Sequence, residues 1–109
     1  TPHSQLPYGM WVLEILTEYY RADATEKANA LAEEFAGYTK NELNYYFSLN
    51  QPFADAISRE QRMGLHIMHR LSQITKKFGQ EELSKDYEQY LNNKVSSMQG
   101  TGGGIRQQN

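Results

Sequence analysis

The chain has 109 residues, no cysteine and a formal net charge of −2. This length allows one domain with one modest core. The absence of cysteine excludes disulfides, zinc–thiolate centres and a cysteine nucleophile. The small net charge argues against a nucleic-acid binder, which would carry a strong basic excess. No apolar run is long enough to predict a membrane span in this segment.

The charges are distributed unevenly along the chain. Residues 1–55 hold eight Asp/Glu and three Lys/Arg, a net −5, whereas residues 56–109 hold five and eight, a net +3. Such a split could favour contact between the halves or with a partner. Differently solvated helix faces are the more common explanation.

The first half of the chain predicts two helices joined by a short turn. After a lead-in over residues 1–7, apolar side chains recur at helical spacing over about residues 8–21. Asp23 is predicted to cap the second helix, because Glu26 three residues later would complete a capping box. That helix is expected to stop near Gly37. Residues 8–37 therefore predict a helical hairpin.

A linking helix is predicted next, over residues 39–50. Thr39 with Glu42 repeats the capping-box pattern at its start. At its end stands Pro52, and a proline disfavours the helical conformation in the residue before it.

A second hairpin is predicted over residues 58–98. Ser58 with Gln61 offers another capping box, and Gly79 suits the left-handed position that ends a helix. The fifth helix is expected from about Gln80 to Met98. The glycine-rich tail, residues 99–109, has no periodicity and is predicted to be flexible.

The predicted fold is therefore all-α, with about five helices in tetratricopeptide-like antiparallel hairpins. The packing residues of the first hairpin are small alanines and large tyrosines, a combination that lets antiparallel helices approach closely and that tetratricopeptide-type repeats use. The spacing that leads from Glu26 to Phe35 is echoed weakly from Glu81 to Tyr90. We interpret this echo as two hairpins of similar plan.

The tyrosine-rich part of the first three helices is the best candidate for an interaction surface. Neighbouring residues on a helix point about 100° apart, so one ring of each Tyr19/Tyr20 and Tyr45/Tyr46 pair should be partly exposed. Packing against an adjacent domain, a ligand groove and ordinary surface tyrosines all remain open. The candidate contact residues are Trp11, Tyr20, Tyr45 and Tyr46.

No catalytic, cofactor or metal site is predicted. His66 and His69 share a helix face, but their neighbours are cationic or neutral, which disfavours a divalent cation. Glu33/Glu34 and Glu81/Glu82 are adjacent pairs whose side chains diverge, whereas general acid–base catalysis needs convergent groups. The single glycine cluster lacks the strand, helix and lysine of a phosphate-binding loop.

Taken as a set, several blocks resemble the C-terminal soluble region of a bacterial family of large membrane proteins. The N-terminal part of that family is multi-spanning and similar to the protein-mannosyltransferase class of lipid-sugar-dependent glycosyltransferases. The resemblance covers most of residues 7–92. It is carried by Pro7-Tyr8, Tyr19-Tyr20, Glu26-Lys27-Ala28-Asn29, Glu42-Leu43-x-Tyr45-Tyr46-x-Ser48-Leu49 and Phe78-Gly79-Gln80-Glu81-Glu82-Leu83.

The resemblance implies a non-catalytic accessory or protein-interaction domain of a larger membrane glycosyltransferase-like protein. The implied partner is the neighbouring membrane domain of the same polypeptide, or another protein. Attachment to the membrane through an N-terminal part, on the non-cytoplasmic side, is implied by analogy with that fold class. The catalytic acids of the family are expected in its membrane portion, so none is assigned here. The alternative is a stand-alone soluble helical-repeat module that binds a peptide or small ligand.

Overall fold

The computed structural model describes the backbone of residues 5–49 and 54–103, and the side chains of residues 9–49 and 58–97. Over these residues the chain is all-helical, without strands. The four helices are α1 (Gln5–Arg21), α2 (Thr25–Ser48), α3 (Ala54–Lys77) and α4 (Glu81–Gly103).

The prediction of a helix stop near Gly37 and a new helix from Thr39 is wrong, because α2 runs without interruption through both residues. Thr39 is buried within α2 and caps nothing. A glycine inside a helix costs only about 1 kcal/mol relative to alanine. That cost is offset by a buried stripe that continues across it, formed by Ala28, Ala32, Phe35, Ala36, Thr39 and Leu43. The predicted second and linking helices are therefore one helix, and the described chain has four helices where about five were expected.

The turn between α1 and α2 also differs from its prediction. Asp23 has a left-handed backbone (φ 66°), and Ala24 occupies the N-cap position of α2 without a capping side chain. The backbone N–H groups of Asp23 and Ala24 donate to the carbonyls of Tyr20 (3.0 Å) and Tyr19 (2.9 Å). This is the Schellman pattern that ends a helix. Asp23 therefore terminates α1, and the predicted capping box with Glu26 does not form.

The turn between α3 and α4 uses the same geometry, with glycine at the left-handed position. Gly79 has φ 80°, which confirms its predicted role at the end of the helix. The backbone N–H of Gly79 donates to the carbonyl of Lys76 (3.0 Å), and that of Gln80 donates to the carbonyl of Thr75 (2.8 Å). Both hairpin turns are thus closed by the same pair of backbone hydrogen bonds.

The start of α3 lies upstream of its prediction. Because the helix begins at Ala54, Ser58 is inside it and the capping box with Gln61 is wrong. The Gln61 side chain donates instead to the Tyr46 carbonyl of α2 (3.5 Å). At the other end of the chain, α4 continues beyond Met98 to Gly103. Residues 1–4, 50–53 and 104–109, which include most of the lead-in, Pro52 and the end of the tail, lie outside the described residues.

Side-chain contacts fix the direction of the helices. Asn29 is hydrogen-bonded to Gln80, and Lys40 further along α2 is hydrogen-bonded to Asp86 further along the chain. Residue numbers therefore increase in the same direction on both sides, and α2 and α4 run parallel. Between α2 and α3, Leu43 faces Gly64 and Tyr46 faces Gln61, so residue numbers rise on one helix as they fall on the other. These two helices are antiparallel. One core joins all four helices, formed by Val12, Leu13, Leu16, Tyr20, Ala28, Ala32, Phe35, Ala36, Leu43, Ile67, Met68, Leu71, Ile74 and Tyr87.

A chain of polar side chains connects the two turns across this core. The Tyr20 hydroxyl donates to Asn29 Oδ1 (2.6 Å), and Asn29 Nδ2 donates to Gln80 Oε1 (3.0 Å). The Tyr20 ring stacks on Phe78 at a centroid distance of 5.0 Å. Burial raises the pKa of Tyr20 above the ordinary tyrosine value. These bonds hold the end of α1 against α2 and the turn before α4.

We predict opposite effects for two glycine-to-alanine substitutions. Gly37→Ala should stabilise the fold by about 0.5–1 kcal/mol, because alanine favours helix and a Cβ there meets nothing within 4 Å. Gly64→Ala should destabilise it by about 1–3 kcal/mol, because its Cβ would lie 2.7 Å from the buried Leu43 side chain. Urea unfolding measures both changes. A destabilising Gly37→Ala would contradict a continuous α2.

A second prediction concerns Tyr87, which is 1% exposed and whose hydroxyl has no partner among the described residues. Burial of the hydroxyl is the main cause that raises the pKa of Tyr87, and the negative charge of the nearby Glu33 is the second. Tyr87→Phe should therefore be neutral or stabilising by up to about 1 kcal/mol at neutral pH, since it removes an unsatisfied polar group. A loss of more than this amount at neutral pH would indicate a satisfied hydroxyl.

The same variant should change the alkaline pH dependence of stability. The hydroxyl of an unfolded tyrosine ionises near pH 10, whereas Tyr87 in the folded chain stays protonated at that pH. The contribution of this pKa difference to folding stability is therefore complete below pH 10 and is lost as the pH rises above it. Relative to the wild type, Tyr87→Phe should gain up to about 1.4 kcal/mol per pH unit above pH 10. Urea unfolding at a series of pH values measures this difference, and parallel curves would contradict the buried hydroxyl.

Candidate interaction surface

The outer side of α1 carries a row of large apolar side chains. Trp11, Ile15 and Tyr19 follow one another at four-residue intervals, which places them on one helix face. They are 69%, 41% and 36% exposed. The opposite side of α1 contributes Leu13, Leu16 and other buried residues to the core. This helix is therefore apolar on the face that packs and on part of the face that does not.

Helix α2 extends this surface across an open groove. Tyr38 and Tyr45 are seven residues apart and so share a face of α2, and both are exposed. A groove of about 410 Å³ lies between α1 and α2, lined by Val12, Leu31, Glu34, Phe35 and Tyr38. We call this surface the α1–α2 face; it comprises the exposed Trp11, Ile15, Tyr19, Tyr38 and Tyr45 together with the partly buried Leu31 of the groove.

Carboxylates border the α1–α2 face. Glu34 lines the groove itself, and the exposed Glu14 and Glu18 are on α1 beside the Trp11 row. Glu18 accepts from Arg21 (2.9 Å) in an exposed pair, which contributes little stability. The surroundings of the apolar side chains are therefore mainly acidic.

The outer face of α4 is entirely different. Its exposed residues over the described part are polar or charged, among them Lys85, Gln89, Asn92, Asn93 and Ser96. In arrays of stacked helices a polar outer face marks a terminal element that packs against nothing further. The α4 side has this character and the α1 side does not, so the two ends of the helical array are chemically unequal.

The four predicted contact residues fall into different environments. Trp11 and Tyr45 (58% exposed) lie at the surface. Tyr46 is half-buried; its ring packs edge-on against Tyr45 at 5.3 Å, and burial raises its pKa, with a smaller contribution from Glu60. Tyr20 is 6% exposed and belongs to the core. The inclusion of Tyr20 in a contact surface is therefore corrected.

The candidate contact residues chosen from the sequence did not include Ile15 and Tyr38, which the structure places at the surface. Ile15 belongs to the apolar side chains at helical spacing in residues 8–21, and such spacing identifies an apolar side without telling which neighbour covers it. Trp11 and Ile15, four residues apart and next to the core positions Val12 and Leu16, make the apolar arc of α1 wider than one packed side needs. That width was the available signal.

The two histidines that share a face of α3 do not belong to a metal cluster among the described residues. His66 and His69 are exposed on α3. Over the residues that the structure describes, no three His, Asp or Glu side chains are grouped to hold a metal ion. None of the helices in that part of the chain combines the length and the apolar character required to cross a bilayer.

Comparison of the chain with protein-family models, with curated proteins and with solved structures gives no match.

Trp11 provides a direct spectroscopic test of this surface, because it is the single tryptophan of the chain. We predict fluorescence emission close to that of a free tryptophan derivative, with acrylamide quenching almost as efficient, since the indole is largely exposed. N-acetyltryptophanamide is the reference. A blue-shifted, poorly quenched emission from the isolated chain would place Trp11 in a buried site.

Proposed function

We propose that this chain is a non-catalytic protein-interaction domain that docks through the α1–α2 face. The observation that carries the proposal is the 69% exposure of Trp11 beside Ile15. Large exposed apolar patches rimmed by polar residues are typical of interaction sites. Tryptophan and tyrosine are also the residues that most often dominate binding energy at protein interfaces.

The energetics of this face favour a protein partner. Aromatic side chains bury roughly 150–250 Å² each on full burial, and apolar burial contributes about 25 cal/mol per Å². Covering Trp11, Tyr38 and Tyr45 would therefore contribute several kcal/mol before the costs of association. A helix or hairpin that continues the array would be long enough to cover α1 and α2 together.

We further propose that the four helices form two tetratricopeptide-like hairpins. The two identical turns at Asp23 and Gly79 and the parallel course of α2 and α4 support this arrangement. The spacing between the two turns, about 56 residues, exceeds the ~34 residues of a tetratricopeptide repeat. The helices are correspondingly longer than those of that repeat.

The larger context of the proposal comes from the sequence resemblance alone. On that basis the chain is an accessory domain of a membrane glycosyltransferase-like protein, attached through an N-terminal part and lying on the non-cytoplasmic side. Its partner is then the neighbouring membrane domain of the same polypeptide or another protein. Catalysis would then belong to the membrane portion of that protein, as the resemblance implies.

The alternative is a stand-alone soluble module that binds a peptide or small ligand. The groove of about 410 Å³ between α1 and α2, with Glu34 among its lining residues, favours this second function. A peptide with apolar side chains and a positive charge would match the chemistry of that groove.

An immunoblot of fractionated native cells separates the two functions. With an antibody against this segment, the accessory-domain proposal predicts a band several times larger than 12.6 kDa in the membrane fraction. A band near 12.6 kDa in the soluble fraction would contradict that proposal and leave the stand-alone module.

The docking face itself is tested with cysteine probes, because the chain has no cysteine of its own. Ile15→Cys places a thiol on the α1–α2 face, and Gln89→Cys places the matched control on the polar side of α4. We expect both to react with a maleimide at similar rates in the isolated chain. In native cells, the Ile15→Cys thiol should react at least about tenfold more slowly, since an interface excludes the reagent.

The readout is the fraction of modified peptide from this segment, measured by mass spectrometry. Equal reactivity of the two positions in native cells would contradict docking through the α1–α2 face. Protection of Gln89→Cys alone would place the interface on α4.

A further inference from the structure

The exposed face of α3 is cationic along most of its length. It carries the exposed Arg59, Arg62, Lys76 and Lys77 and the half-buried Arg70. The single acidic side chain described on this helix, Glu60, lines a small cavity beside Tyr46 of α2. From Arg59 to Lys77 the face extends about 27 Å, at 1.5 Å per residue. The α1–α2 face plays no part in this surface.

One end of this cationic face forms a concave site with α1. An open cavity of about 210 Å³ lies between the two helices, and three cations line it: Arg21, Arg70 and Lys77. Thr17 and Gln73 add polar groups, and no carboxylate belongs to the lining. Its apolar wall is Ile74 with Phe78, whose ring is fixed by the stack on Tyr20.

The cations in this cavity are incompletely paired. The Nε of Arg70 is buried and has no acceptor among the described residues, and leaving such a charged donor unsatisfied is costly. The Lys77 ammonium lies 5.7 Å from the Phe78 ring centroid, and within the described part of the chain no carboxylate lies within ion-pair distance of it. Arg21 is engaged by Glu18, in an exposed pair that can rearrange.

The carboxylates nearest to the site lie to one side. Glu14 and Glu18 line an adjoining open cavity of about 390 Å³, to which Arg21 and Arg70 also contribute. These two carboxylates border the cavity on its α1 side, whereas the side near Lys77 stays positively charged. A ligand that supplies acceptor oxygens there would meet the part of the Arg70 guanidinium that lines the cavity. Among the described residues, the bond that it would displace is the one between Arg21 and Glu18.

We propose that this α1–α3 groove binds a phosphate group. Three oxygens of a phosphate match the forked donors of two arginines and the point charge of one lysine. A dianion would also neutralise the excess positive charge of the cavity. The phosphate could belong to a soluble phosphomonoester or to a lipid headgroup, and the shared chemistry is the terminal phosphate itself.

The site is tested first with inorganic phosphate, at constant ionic strength maintained with sodium chloride. On the chain with ¹⁵N-labelled arginine, phosphate should shift the Nε–H resonances of Arg70 and Arg21 in a saturable way. The resonances of Arg59 and Arg62 should move little. Equal, non-saturating shifts at all four arginines would overturn the proposal.

Matched charge variants separate a site from general electrostatics. Arg70→Gln and Lys77→Gln should each weaken phosphate binding at least about tenfold, because each removes a charge-assisted contact. Arg59→Gln and Arg62→Gln remove the same charge from the same helix outside the cavity and should change binding less than about twofold. Lys77 is exposed, so its variant keeps the test valid even if Arg70→Gln lowers stability. Equal losses in all four variants would overturn the proposal.

Two probes then distinguish the sources of phosphate. Phenyl phosphate represents a soluble phosphomonoester, and vesicles of phosphatidylcholine with phosphatidic acid represent a lipid headgroup. Binding of either probe that depends on Arg70 and Lys77 supports the site and identifies its source. Absence of variant-sensitive binding to both probes and to inorganic phosphate would overturn it.

Discussion

The uninterrupted course of α2 through Gly37 is the constraint on which the rest of the structure depends. If the helix ended there, Leu43 could not fill the space above Gly64. The contacts from Lys40 to Asp86 and to the rings of α4 would also be lost. Because the helix continues, one rigid element contacts α1 along its first half and α3 and α4 along its second. Because α2 is continuous, Tyr38 and Tyr45 lie on the same helix face. The helix that contacts α1, α3 and α4 in the core therefore also forms part of the candidate interaction surface.

Helical periodicity was sufficient to predict an all-α chain, the two hairpin turns and the left-handed glycine at position 79. It failed where local signals competed with packing. Gly37 and Thr39 each fit a helix boundary in isolation, but burial along one stripe of α2 exceeds the small local preferences of these residues. Ser58 also fits a boundary, yet it lies inside α3, which begins at Ala54. Asp23 was correctly placed in a turn and given the wrong role, since its left-handed backbone depends on the hydrogen bonds that close α1.

The candidate site was predictable only in part for a related reason. Exposure of Trp11 and Tyr45 follows from an excess of aromatic residues over what a small core can hold. Burial of Tyr20 follows from its bond to Asn29 and its stack on Phe78, a residue far away in the sequence. The resulting surfaces are chemically distinct: an apolar face with acidic borders on α1 and α2, a cationic face on α3 and a polar one on α4. The uneven charge of the two halves of the sequence therefore corresponds to surfaces on different helices.

Amide hydrogen exchange across residues 36–40 of the isolated chain tests the continuous α2 most directly. If α2 is one helix, the amides of Gly37, Tyr38 and Lys40 should be protected to an extent comparable with those of Leu31 and Leu43, because local opening would require unpacking of the shared core. Exchange at these positions as fast as in the turn at Asp23 would show a break in the helix. That result would contradict both the four-helix array and the extended face built on it.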